Sequence, residues 1–423
     1  MTHFGIICPA ESGHLNTFIP LGKELIDRGH KVTVIASADA QKKTTTAGLE
    51  FKPIGEDIFP LGSLKARFAE LGKLSGLAAL KYTIELFKDS ATAVLRDAPQ
   101  VIKEVGIEAL LVDQTSSEGG TVAEFAGIPF ITVCSAVVLN RDPDIPPFST
   151  TWKYSPNWWG RLRNQLGYKI LSQIVKPRYD VVTEYRKKWN LPLDSSVNKI
   201  YSPLAQISHQ PAEFEYPRTT LPKWFHFTGP YHYSVSREPV AFPWEKLTGQ
   251  PLIYASMGTL QNRLVDVFEK IASACEGLDA QLVITLGGSA TPESLPELPG
   301  NPLVVSYAPQ LELLKKTTLV ITHAGMNTTL ESLTNGVPMV AIPVANDQPG
   351  IAARIAWTGA GEVVPLKELS VERLQKAVKQ VLTEDSYKKN ALRLQEAIKQ
   401  AGGVKKAADI IEQAVSTGKP VLA

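Results

Sequence analysis

Cysteine is scarce in this chain of 423 residues. Only Cys8, Cys134 and Cys275 occur. They lie far apart, are odd in number and form no C-x-x-C pair, which argues against a disulfide framework or a zinc knot and points to a reducing cytosol. Net charge is nearly absent too: 44 Lys and Arg face 42 Asp and Glu, leaving +2. The molecule as a whole is therefore no binder of nucleic acid. Long apolar runs are missing. The longest, FITVCSAVVL at 130–139, has about half the length that a bilayer-spanning helix needs. The N-terminus has no basic region ahead of its short apolar run, so no signal peptide is expected. The first strand-to-helix turn, CPAESGHLN at 8–16, holds one glycine and no G-x-G-x-x-G, and the chain has no P-loop. Nicotinamide binding and ATP hydrolysis are thus not expected, and no cofactor is called for.

What is present is α/β rhythm, twice. A chain of 423 residues is too long for one ordinary core, so two domains are expected. HFGIICPA reads as a buried strand, and 16–30 as a helix with Pro20 in its opening turn, Phe18, Leu21 and Leu25 on one face and a stop at Gly29. KVTVIAS, IEALLVDQ and IPFITVCSA are further strands, with SEGGTVAEFAG a helix between the last two. The rhythm restarts with PLIYASMG, a helix, then AQLVITLGG, PLVVSYAP, LVITHAG and PMVAIPV, and the tail from SVERLQKAVKQVL onward is helical. The fold class is α/β, with two Rossmann-like doubly wound domains facing across a cleft. The expected boundaries are 1–229 for the N-terminal domain, 230–248 for a proline- and aromatic-rich linker, 249–400 for the C-terminal domain and 401–423 for a helix packing back on the N-terminal domain.

Such sheets bind ligands at the carboxyl ends of their strands. HAGMNTTLES, 323–332, stands at such an end. The helix it opens begins near Gly325 to Asn327, where free backbone N–H groups and the helix dipole attract phosphate. His323, Asn327 and Thr328 add side-chain donors. Glu331, one turn on, repels a bare phosphate but suits a ribose diol, because a carboxylate accepts two hydroxyl hydrogen bonds. A nucleoside diphosphate wants both ends. Taken alone, an ordinary capped helix with an exposed glutamate fits equally well.

The stretch is not alone. From Tyr307 to Gln348 the chain reads Y-A-P-Q … H-A-G-M-N-T-T-L-E-S … G-V-P … P … D-Q. This resembles the signature of the family 1 UDP-glycosyltransferases, and SGHLN, LLVDQ and YASMGT resemble its weaker landmarks, so the resemblance spans nearly the whole chain. In detail it looks like the bacterial branch that includes zeaxanthin glucosyltransferases and macrolide glycosyltransferases. The resemblance implies the GT-B fold and a metal-independent, inverting transfer from a UDP-sugar. It implies that Tyr307 stacks on uracil, where plant relatives have Trp, and that Ala308 meets the base edge through its backbone. Gln310 and Glu331 would hold the ribose hydroxyls. His323, Gly325, Asn327, Thr328 and Thr259 would hold the diphosphate, and Asp347 and Gln348 the transferred sugar, with the terminal Gln suggesting glucose. Met326 stands where many plant enzymes have Trp.

On the acceptor side, His14 follows the first strand and Asp113 ends another. A histidine titrates near neutrality, and a carboxylate fixes its tautomer and stabilises its charged form. The resemblance makes these two the base dyad; without it, a loop histidine and a helix cap would suffice. The acceptor would be an apolar hydroxylated small molecule (carotenoid, polyketide or phenolic), its pocket drawn from residues between about 55 and 200. A nucleotide-sugar epimerase and a non-catalytic sugar-nucleotide sensor are the alternatives. The first needs no acceptor and the second needs no base.

Three features stand apart. The D-x-D of RDPDIPP sits among prolines, where turns favour Asp, rather than in a metal site. His209, His226 and His232 show no metal-ligand spacing. The basic, Trp- and Tyr-rich segment 152–190 has two readings. It is a helical wall over the acceptor pocket, or it rests weakly and reversibly on an anionic membrane, making a cytoplasmic protein peripheral to that membrane.

Overall fold

The structure is a computed structural model that describes residues 1–71, 74, 76–193, 197–231, 240–258, 265–288 and 291–423. Its framework is two parallel sheets. The first contains β1 (His3–Ile7), β2 (Lys31–Ala36), β3 (Glu50–Pro53), β4 (Ala109–Asp113), β5 (Phe130–Cys134), β6 (Gln206–Ser208) and β7 (Phe225–Phe227), in the order β3-β2-β1-β4-β5-β6-β7. The second contains β8 (Leu252–Ser256), β9 (Gln281–Thr285), β10 (Leu303–Val305), β11 (Thr317–Thr322), β12 (Met339–Ala341) and β13 (Gly361–Val363), in the order β10-β9-β8-β11-β12-β13. The central strands bury consecutive residues on both faces, Phe4 to Ile7, Ala109 to Asp113 and Leu319 to Thr322, as a parallel sheet covered by helices requires. Strand order reverses between β1 and β4 and again between β8 and β11. A doubly wound sheet opens its ligand crevice at that reversal.

The helices are α1 (Ser12–Asp27), α2 (Gln41–Thr46), α3 (Ser63–Leu71), α4 (Gly76–Val105), α5 (Glu118–Ala126), α6 (Trp158–Lys188), α7 (Val265–Cys275), α8 (Gln310–Leu314), α9 (Met326–Thr334), α10 (Gln348–Trp357), α11 (Val371–Thr383), α12 (Asp385–Gln400) and α13 (Gly403–Thr417). One expectation is corrected. The first helix starts at Ser12, so Pro20 lies in its interior rather than in its opening turn. Pro20 is buried there, and α1 forgoes the backbone hydrogen bond that a proline cannot donate. His14 consequently sits in the first turn of α1, not on the strand-end loop. Strands β3, β6, β7 and β13 were not foreseen. At three or four residues each they are too short to show a period.

The tail crosses between the halves. α13 buries Ala407, Ala408, Ile411 and Ala414 in the same cluster as Leu15, Phe18, Leu21 and Leu25 of α1. Arg28 at the end of α1 reaches Asp409 and Glu412 of α13, each at 2.6 Å. A second apolar cluster joins Val137 and Phe214 of the N-terminal half to Tyr254, Leu330 and Ile355 of the other. Of the expected linker, 232–239 and with it His232 lie outside the described residues; 244–246 form a single 3₁₀ turn.

Candidate active site

Asp113 ends β4 and is fully buried, while the His14 side chain, one strand over at the start of α1, is 22% exposed. The carboxylate is held on both oxygens. Oδ1 accepts from the backbone N–H and the hydroxyl of Thr115, each at 2.7 Å, and Oδ2 accepts from the Ser135 hydroxyl at 2.5 Å. His14 Nδ1 lies 2.8 Å from Asp113 Oδ2 and 2.8 Å from Ser135 Oγ. Since the carboxylate can only accept, Nδ1 carries the proton and Nε2 is the ring nitrogen left for a ligand.

Burial pulls the two groups one way and their charges pull the other. Desolvation by itself pushes the Asp113 carboxyl up, but the His14 charge and the three side-chain donors outweigh it and hold the group below its ordinary 3.8. Desolvation pushes His14 down, yet the Asp113 charge and hydrogen bond, aided by Glu11 and Asp347, raise it to about 9. At neutral pH the ring is therefore mostly protonated on both nitrogens, and Nε2 must lose its proton before it can accept another. Ser135 was missed in the sequence. Its signal was its place two residues beyond Val133, the register partner of Asp113 on the neighbouring strand. Cys8 and Cys134 also lie near Asp113, but burial and then its charge push both thiols well up, so neither is a ready nucleophile.

Across the cleft, α9 begins at Gly325 with no side-chain cap, so its first-turn N–H groups point outward unclaimed by side chains. His323 is wedged between two glycines. A Cβ on Gly258 or Gly325 would stand 2.7 or 2.6 Å from its Nε2, which is why neither position carries a side chain. Burial lowers the His323 imidazole to about 4, so it is a neutral donor at pH 7, and its Nδ1 is buried without a partner. Gln310 opens α8 and donates from Nε2 to Glu331 Oε2 at 2.6 Å, while the Tyr254 hydroxyl donates to Gln310 Oε1 at 3.0 Å. Thr328 is buried beside them, its Oγ1 3.4 Å from Gln310 Nε2. The Tyr307 ring lies so close over Gly288 that a Cβ there would sit 2.1 Å from it, and the residue is half exposed. Ala308 packs partly buried against the C-terminal core. Thr259 lies outside the described residues.

The two halves touch at the site itself. Asn327 Nδ2 donates to the Gly13 carbonyl at 2.7 Å, tying the start of α9 to the start of α1. Asp347 Oδ2 accepts from the Val137 N–H at 3.3 Å, and burial raises its carboxyl above the ordinary range. Gln348 Oε1 accepts from the N–H groups of Val344 and Ala345, at 2.8 and 3.0 Å. That closes the loop and leaves its NH₂ as the end available to a ligand. Printed contacts thus join His14 with Asp113, Asn327 with the start of α1, and Gln310 with Thr328 and Glu331. The D-x-D does not join them. Asp142 accepts from the Thr219 and Thr220 N–H groups and the Thr220 hydroxyl, and Asp144 pairs with Arg161.

The family described as UDP-glucoronosyl and UDP-glucosyl transferase matches residues 6–403. A zeaxanthin glucosyltransferase of Pantoea ananas is 33% identical over 424 residues, covering 100% of this chain and 98% of that protein. A second, from Pseudescherichia vulneris, is 29% identical over 425 residues and covers 100% of both. Among solved structures, the glycotransferase of kitacinnamycin superposes with a TM-score of 0.76 at 23% identity, over 97% of this chain and 98% of that one. The tandem arrangement of two Rossmann-like sheets is that of the GT-B glycosyltransferases.

Proposed function

We propose that this chain, which belongs to the UDP-glucoronosyl and UDP-glucosyl transferase family, transfers glucose from UDP-glucose to a hydroxyl of an apolar small molecule in one inverting displacement. The observation that carries the reading is the hydrogen-bonded set of His14, Asp113 and Ser135 facing the uncapped start of α9. His14 Nε2 takes the acceptor proton as the acceptor oxygen attacks the anomeric carbon. Asp113 keeps the imidazole oriented and stabilises the charge it gains. The bond to the diphosphate breaks, and the charge left on its oxygen is met by the α9 N–H groups, His323 and Thr328, with Thr259 as an expected further donor. Gln310 and Glu331 take the ribose, Tyr307 the uracil, and Asp347 and Gln348 the glucose hydroxyls. Carotenoid alcohols are the acceptors to try first, since two full-length relatives carry the name zeaxanthin glucosyltransferase.

The test is incubation with UDP-glucose and carotenoid, polyketide and phenolic acceptors, read by mass spectrometry and proton NMR. A β-glucoside from the α-linked donor, formed in the presence of a chelator, is the expected result. An α-linkage in the first product would overturn the single displacement. Release of UDP without any acceptor would mark an epimerase instead.

A further inference from the structure

We propose that the first half of α6 is a membrane-contact face that seats this chain on a bilayer bearing anionic lipid. Trp158, Leu162, Leu166 and Ile170 recur every fourth residue and are 63%, 41%, 55% and 63% exposed; Trp159 beside them is 62% exposed and stacks on Trp158 at 3.8 Å between ring centroids. At 3.6 residues per turn these five side chains fall within an arc of about 120°. The opposite side of the same turns is what the protein holds. Gly160 and Asn164 are buried, Asn164 donating to the Pro143 carbonyl at 3.0 Å, and Gly167 packs on Pro147 and Trp152. The helix is thus seated by its small residues and presents its large apolar ones to solvent, the reverse of an ordinary surface helix.

The charge carried by the segment itself is of one sign. Residues 145–179 contain six Lys and Arg and no Asp or Glu, in a chain whose net charge is only +2. Lys153, in the stretch leading into α6, and Arg161 and Lys169, on its first turns, are exposed; Arg161 is paired with Asp144, and the Arg163 guanidinium lies over the Trp152 ring at 4.9 Å. Tryptophan and leucine on one face with lysine among and beside them are the chemistry of a helix lying in the plane of a membrane surface. Among the described residues no helix is long and apolar enough to cross a membrane, so the contact is one of docking, strengthened by anionic headgroups and weakened by salt. The same helix reaches the catalytic turn. Arg178, two turns beyond the apolar stripe, donates to the Thr115 carbonyl at 2.5 Å and pairs with Glu118, and Thr115 is the residue that fixes Asp113 Oδ1. Resting on the proposed function, this places an acceptor dissolved in the bilayer next to the domain that would receive it.

Flotation of the purified chain with vesicles of phosphatidylcholine, with and without about 30 mol% phosphatidylglycerol, tests the proposal. Wild-type protein is expected to float with the anionic vesicles at low salt, with a blue shift of tryptophan fluorescence. The triple variant Trp158→Ser, Trp159→Ser, Ile170→Ser is expected to partition about tenfold less, and Lys153→Glu with Lys169→Glu to lose the preference for anionic vesicles. Glucosylation of a water-soluble phenol is expected to be unchanged in both variants, so a loss of catalysis is distinguished from a loss of docking. No flotation at low salt, or equal flotation of wild type and triple variant, would overturn the proposal. So would self-association of the wild type that the serine variant abolishes, since that assigns the face to a second copy of the chain.

Discussion

The buried carboxylate of Glu215, in the N-terminal half, meets the guanidinium of Arg354, on α10 of the other half, at 2.6 Å; each side chain is 2% exposed. Gln210 donates to the second carboxylate oxygen at 2.9 Å, and the Arg354 guanidinium lies 4.6 Å from the Tyr216 ring centroid. α10 begins at Gln348, directly after Asp347, so this pair anchors to the N-terminal half the helix whose start is proposed to read the sugar. Arg354→Met leaves the buried carboxylate with Arg218, 3.4 Å away, as its remaining cation. The expected loss of stability by denaturant unfolding is therefore below the about 3–5 kcal/mol of a buried charge left wholly unpaired. Pairing it with Glu215→Gln is expected to cost less than the sum of the single changes, because both remove the same contact. Strict additivity would show that the two do not act as a unit.

His14→Ala is expected to lower turnover with an alcohol acceptor by about 10²–10⁴-fold, the usual worth of a general base. Affinity for UDP should barely change, since the donor residues lie on the other domain. Asp113→Ala should also be damaging, and less than additive with His14→Ala, because the aspartate acts through the histidine. Ser135→Ala removes one hydrogen bond from the carboxylate and should cost about two- to tenfold. An acidic phenol, which ionises without much help, should be hurt less than an alcohol by each change. Steady-state kinetics on the four variants with both acceptors decides the matter.

The pH dependence follows from the raised imidazole. His14 works as a base only when neutral, and in the free chain it titrates at about 9. kcat/KM should therefore climb with pH, about tenfold per unit well below 9, and level off above it. Asp113→Asn removes the charge that raises the group, so the limb should move down toward the ordinary value of about 6.5. The same shift has a stability consequence. A folded pKa above the unfolded one contributes stability that is fully present below about 6.5 and is lost as pH rises through about 9. Melting temperature should fall across that window more in the wild type than in Asp113→Asn.

The parts of this architecture that were legible were those written in consecutive residues. β1, β4 and β11 each hold a run of consecutive large apolar residues, and the α9 start announces itself by Gly325, Asn327 and Thr328 after a strand. The start of α1 was misplaced because Pro20 carries a strong first-turn signal, whereas Ser12 is preceded by Glu11, whose side chain makes no cap hydrogen bond. Ser135 was illegible because its role depends on strand register. The Glu215–Arg354 pair was illegible because its members are 139 positions apart. The exposed face of α6 was visible only as composition. Which of its residues are buried depends on what the helix lies against, and that is a tertiary property.

The ribose contact offers the sharpest test of the donor. Glu331 is 3% exposed and is held by Gln310 at 2.6 Å. The Tyr254 hydroxyl fixes Gln310 in turn, so the carboxylate is set in place before any ligand arrives. A carboxylate so placed accepts hydroxyl hydrogen bonds with little water to screen them, and a hydrogen bond to a charged group contributes more than a neutral one. Glu331→Ala is expected to weaken UDP by roughly 1–3 kcal/mol. Wild type should bind UDP more tightly than its 2′-deoxy analogue, because the analogue leaves a buried acceptor unsatisfied. In Glu331→Ala that preference should largely vanish, since the acceptor has gone with the side chain. Titration calorimetry on the two proteins with the two ligands completes a cycle. Equal affinity of the wild type for UDP and the 2′-deoxy form would remove the ribose from this pair and leave Glu331 as a structural partner of Gln310.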